Sequence, residues 1–167
     1  VTGGVYNILP NETLQKIIHK KLSQISGVFY TEKENEYAEK LSFNFRENKK
    51  DISLACVVEP YTFNSSTRGG ASTDVGDVSW VVPTAGFGTA TYVPGTPGHS
   101  WQAASCTGTS IGLKGMLNAA KTLALTTHSL FTNTKLIEEA KKEFYKKRGL
   151  NYNYDPLIGD RKPALNY

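Results

Sequence analysis

Apolar residues recur at helical spacing in four stretches of the chain. Leu14, Ile17, Ile18, Leu22 and Ile25 follow Pro10-Asn11, a helix start, and predict an amphipathic helix. Thr31-Glu32-Lys33-Glu34 has the form of a capping box, in which a hydroxyl and a carboxylate each satisfy a free backbone N–H; the helix it opens carries Tyr37, Ala38, Leu41 and Phe45 on one side. Thr109 or Ser110 can cap a long helix through Leu113, Leu117, Ala120, Ala124 and Phe131. A last helix, with Leu136, Ile137, Ala140 and Phe144, ends in Lys146-Lys147-Arg148, where cations meet the negative end of the helix, and stops at Gly149.

Two stretches break this period. Ile52 to Val58 is continuously apolar and predicts a strand buried on both faces; a second strand is expected near Phe87 to Val93. The expected class is α/β, with helices flanking a mixed sheet. Two strands are few for a stable sheet. The chain opens on Val1 and its one methionine is Met116, so we expect a fragment or processed form, part of whose domain is missing.

Composition sets residues 61–110 apart. Arg68, Asp74 and Asp77 are the only charges there, while eight of the fifteen glycines fall in it, as in loops that place backbone or ligand closely. Elsewhere the 20% charged residues are ordinary, and the lysines behind the net +4 alternate with glutamates, without the stripe that tracks phosphates. Nucleic acid is not an expected partner. No run is long and apolar enough to span a bilayer. Cys56 and Cys106 lack zinc-knuckle spacing and are expected to be buried free thiols, which favours a cytoplasmic location. The two Asn-x-Ser/Thr patterns, at Asn11 and Asn64, are discounted as chance.

Of the three histidines, His19 lies on the polar side of the first helix and is expected in solvent; His128 lies near the apolar stripe of the long helix and is expected to be structural and partly buried. His99 differs. It sits in Gly95-Thr96-Pro97-Gly98-His99-Ser100-Trp101, where two glycines and a proline fix the backbone before the imidazole, a placement that suits a ligand or a base. Upstream, Ser72, Thr73 or Asp74 can cap a short helix, and Asp74 or Asp77 can either orient His99 or meet a substrate group. There is no phosphate-binding loop and no Gly-x-Ser-x-Gly elbow. A hydrolytic zinc site needs about three protein ligands, and only one good one is visible.

The string Gly70-Ala71-Ser72-Thr73-Asp74-Val75-Gly76-Asp77-Val78-Ser79-Trp80-Val81-Val82-Pro83-Thr84, then Pro94 to Trp101 and Gly108 to Met116, resembles the aminobenzoyl-glutamate utilisation protein B branch of the zinc amidohydrolases. The likeness reaches back to Tyr6-Asn7-Ile8-Leu9-Pro10-Asn11. That family includes carboxypeptidase G and the aminoacylases. The resemblance implies the C-terminal portion of a di-zinc exopeptidase-like catalytic domain: residues 1–10 end the return segment from a lid domain, and 11–167 are an incomplete catalytic domain. In the family two metals share a bridging water and a glutamate is the base. His99 matches the last metal ligand, and Thr73-Asp74 matches a turn beside the pocket, implying substrate contact. The remaining ligands and the base have no counterpart here, so the resemblance implies zinc or another divalent metal, two per full-length chain, while the fragment alone is expected to be metal-free and inactive. The implied substrate is a small acyl-amino-acid amide such as p-aminobenzoyl-glutamate, or a dipeptide; the implied assembly is a homodimer or hetero-oligomer. A non-catalytic binding or assembly module is the competing expectation. Asp77 and Trp101 belong to the branch pattern without an assigned role.

Overall fold

Thr31 and Glu34 cap each other as the sequence predicts: the Thr31 N–H donates to Glu34 Oε2 at 2.6 Å, and the Glu34 N–H to Thr31 Oγ1 at 3.4 Å. In the computed structural model, which describes residues 3–45, 49–63, 73–160 and 162, the helix so begun is the second of six. The order is α1 (Glu12–Ile25), α2 (Glu32–Ser42), a 3₁₀ helix (Ile52–Cys56), α3 (Val75–Val81), α4 (Trp101–Thr107), α5 (Ser110–Thr132) and α6 (Thr134–Arg148). The four helices read from apolar spacing all form. At the end of α6, Gly149 takes φ +91, a backbone region cheap only for glycine.

The expected α/β class, with helices flanking a mixed sheet, is overturned: the chain is helical, and among the described residues the one β-type pairing is an isolated parallel bridge between Pro10 and Thr84. Ile52 to Val58 is not a strand. Asp51 accepts from the Ser53 N–H at 2.8 Å and starts a helical turn, which buries Ala55 while leaving Leu54 and Val57 exposed. Phe87 to Val93 forms no strand: the Thr91 N–H turns back to the Thr89 carbonyl at 2.9 Å, Tyr92 lies at a bend, and the backbone at Ala90 runs over Gly115 of α5, so closely that a β-carbon there would meet the Ala90 carbonyl at 2.5 Å. An isolated strand leaves its N–H and C=O groups without partners; here Leu54, Val57 and Thr91 donate to carbonyls two or three residues back, and the Thr89 hydroxyl donates to the Gly115 carbonyl of α5 at 2.9 Å.

The chain divides into two units. Lys16–Tyr61 and Phe87–Thr132 form one, which we call the α5 unit. Its core is Ala38, Leu41, Phe45, Val93, Cys106 and Ile111, with Tyr30, Tyr37 and Ile52 against it. Glu34 has a second task beyond its cap: Ser110 and Lys114, both on α5, donate to its carboxylate at 2.5 Å each. Burial pushes that carboxyl up, but the bonds from Lys114, Ser110 and Thr31 outweigh burial and hold it at about 2. Asn118 adds a tie, donating to the Gly27 carbonyl at 2.8 Å. The opposite side of α5 remains apolar and open, with Leu113, Met116, Leu117, Leu123 and Phe131 exposed.

Val1–Gln15, Thr62–Gly86 and Asn133–Tyr167 form the other, the α6 unit. Asn11 is 2% exposed and caps α1 by accepting from the Leu14 N–H at 3.0 Å, while its amide donates to Ala140 of α6 at 2.8 Å. Glu143, on α6, takes the N–H groups of Glu12 and Thr13 at 2.7 and 2.8 Å and an ion pair from Lys147 at 2.6 Å. Burial raises its carboxyl, and bonds from Lys147, Thr13 and Glu12 bring it down to about 2. Rings complete the unit: Tyr6 lies 5.9 Å from both Trp80 and Tyr154, Trp80 lies 5.0 Å from Tyr152, and the Arg148 guanidinium sits 4.5 Å over Phe144.

Candidate functional site

His99 stands in the α5 unit, in the loop that leads into α4. Val93, 1% exposed, anchors the loop's start, and its carbonyl accepts from the Thr96 N–H at 3.0 Å and the Thr96 hydroxyl at 2.6 Å. Gly95 takes φ +89 to make that turn. At the far end Ser100 donates to the Pro97 carbonyl at 2.6 Å and accepts from the Ala103 N–H at 3.2 Å, capping α4. Between these clamps His99 is exposed and adopts φ +53, the left-handed region that favours glycine. An imidazole is therefore held on a defined loop, facing solvent and at a backbone cost of about 1 kcal/mol or more.

Thr73 and Asp74 lie in the α6 unit, at the start of α3, and both are exposed. The short helix expected there forms, but Asp74, at the cap position, makes no side-chain cap bond; Thr73 Oγ1 accepts from the Val75 N–H at 3.3 Å instead. The Asp74 carboxylate is thus not committed to the helix. The Asp77 carboxylate is engaged elsewhere: the Tyr154 hydroxyl donates to its Oδ1 at 2.8 Å, a bond that pushes the Tyr154 phenol up to about 12. The third capping candidate, Ser72, lies outside the described residues. Gly76 is required where it stands, because a β-carbon there would collide with the Tyr6 carbonyl.

The other two histidines depart from expectation. His19 is half-buried, its Nε2 donating to the Glu59 carbonyl at 2.9 Å and its ring meeting Tyr61 edge-on at 5.5 Å. His128, expected to be partly buried, is exposed, because the buried side of α5 is drawn by Thr122 and Thr126. Those threonines satisfy themselves by donating to the carbonyls four residues earlier, at 2.8 and 2.7 Å. Both cysteines are free thiols, but only Cys106 is buried; Cys56 is half-buried. Helix α4 itself is absent from the sequence reading, although Ser100 ahead of Ala103-Ala104 is a usable cap signal.

Among the described residues, no three or more His, Cys, Asp or Glu side chains come together to hold a metal ion. His99 fits as one imidazole donor, but the donors present do not make a metal site by themselves. Nor is any described helix long and apolar enough to cross a membrane.

The chain is 35% identical, over a 158-residue alignment that covers 81% of it, to a p-aminobenzoyl-glutamate hydrolase subunit from Escherichia coli (strain K12). It spans about a third of the length of that relative, 33%. No family model matches the chain, and no solved structure does.

Proposed function

We propose that this chain is part of a hydrolase that cleaves the amide between an acyl group and an amino acid, of the p-aminobenzoyl-glutamate type or a dipeptide. The observation that carries this reading is the 35% identity across most of the chain to a protein named for that hydrolysis. His99 supplies one imidazole to a divalent metal centre, zinc or a similar ion, whose other ligands and general base lie outside the described residues. Its exposed, clamped position supports that assignment. Thr73 and Asp74 contact the substrate, a reading supported by their exposure and by the Asp74 carboxylate having no helix-capping bond. The relative is named as one component of its hydrolase, which favours assembly with a second kind of chain over a homodimer. Two free cysteines support a reducing, cytoplasmic setting.

The test is made on the full-length protein. His99→Ala is expected to lower bound divalent metal and to abolish hydrolysis of p-aminobenzoyl-glutamate, with the helical signal unchanged. Wild-type metal content and turnover in that variant would remove His99 from the centre. Tight substrate binding without turnover by the metal-loaded wild type would favour a non-catalytic binding module.

A further inference from the structure

The chain has two tryptophans, and the fold uses one of them. Trp80 is half-buried, its indole N–H donating to the Asn7 carbonyl at 2.8 Å and its ring packed against Tyr6 and Tyr152. Trp101 is 63% exposed; among the described residues its N–H has no acceptor and its ring no aromatic neighbour. Helix α4 does not need it. The cap is Ser100, and the buried side of α4 is Ala103 and Cys106. An indole offers one of the largest apolar faces available to a side chain, and leaving it in water forgoes a gain that smaller residues at a helix start do not forgo.

Trp101 also stands two residues from His99, so chain geometry alone keeps their α-carbons within about 7 Å. Both ends of the connection are fixed: the Ser100 hydroxyl ties back to Pro97 and forward to Ala103, and Thr96 is tied to the buried Val93. The indole is therefore an accessible aromatic surface at the start of α4, where the clamped loop that carries the imidazole ends. Flat rings of this kind stack on aryl groups and discriminate weakly among compact alkyl ones.

We propose that Trp101 is a specificity-determining residue whose indole contacts the aromatic ring of an N-aroyl amino acid beside His99. This rests on the amide-hydrolase reading above. It is tested on the full-length protein with two amides of one amino acid, an N-aroyl-glutamate and N-acetyl-glutamate, in Trp101→Ala and Trp101→Phe. Trp101→Ala is expected to lower kcat/KM for the aroyl amide about tenfold, mainly through KM, and to leave the acetyl amide within about twofold. Trp101→Phe restores most of the loss, and neither variant shifts the unfolding midpoint, since the side chain is exposed. Equal losses on both amides, or none on either, would overturn the assignment while leaving the hydrolase reading intact. A wild-type enzyme silent on both amides would overturn both.

Discussion

The two units of this chain reach stability by different means. In the α5 unit, aliphatic and aromatic side chains bury themselves around Phe45, Val93 and Ile111, and polar groups such as Glu34 decorate the margin of that core. In the α6 unit only Ala140 and Phe144 are buried apolar residues among those described, while Asn11 and Ser79 are buried polar ones. There, rings stack at the half-buried surface and side chains tie backbone groups together: Ser79 accepts from the Leu9 N–H at 2.8 Å, and Arg148 donates to the Trp80 carbonyl at 3.2 Å. Burial area is tolerant of chemical detail as long as volume is kept, whereas hydrogen bonds in a small core are tolerant of volume but not of chemistry. The α5 unit should therefore fail by cavities and the α6 unit by lost polar partners.

The largest expected effect is Phe45→Ala, which empties the centre of the α5 core and costs about 4 kcal/mol in urea unfolding. A loss under about 1 kcal/mol would mean that core is not what holds the unit. Glu34→Gln comes next, at about 2 kcal/mol near neutrality, because bonds from Lys114 and Ser110 to an ionised carboxylate are weakened. The pH dependence has a definite sign. The folded carboxyl titrates at about 2, below its ordinary 4.5, so its stabilisation is complete above about pH 4.5 and is lost as pH falls toward 2. Glu143 behaves in the same way in the α6 unit. Wild type and Glu34→Gln should thus converge in stability as pH approaches about 2; a gap independent of pH would show that packing rather than charge is at stake. Smallest of the three is Asn11→Leu, which keeps the branched shape but removes a cap and a tie to α6, at about 1.5 kcal/mol. A neutral Asn11→Leu would erase the distinction between the units.

Much of the helical skeleton is legible in the sequence, because caps and apolar stripes are local. Thr31 and Glu34 are three residues apart, and Gly149 directly follows the last helical turn, so pattern reading finds both. The missing sheet is not local. Ile52 to Val58 has strand composition, yet strand formation depends on a neighbour to pair with, and Asp51 supplies a competing turn that composition alone does not weigh. The same applies to Phe87 to Val93, whose fate is decided by Gly115, more than twenty residues on. Of the candidate site, the His99 loop is legible because prolines and glycines announce it. Asp77 and Asp74 cannot be told apart in the sequence; the difference lies in Tyr154, which no spacing rule connects to Asp77.

The left-handed backbone at His99 carries a conformational cost that a glycine would not. A glycine there would relax the loop, so His99→Gly is expected to raise the unfolding midpoint slightly while removing the imidazole. A gain in that variant would measure the strain the loop stores at His99, and no gain would show that the ties at Thr96 and Ser100 absorb it.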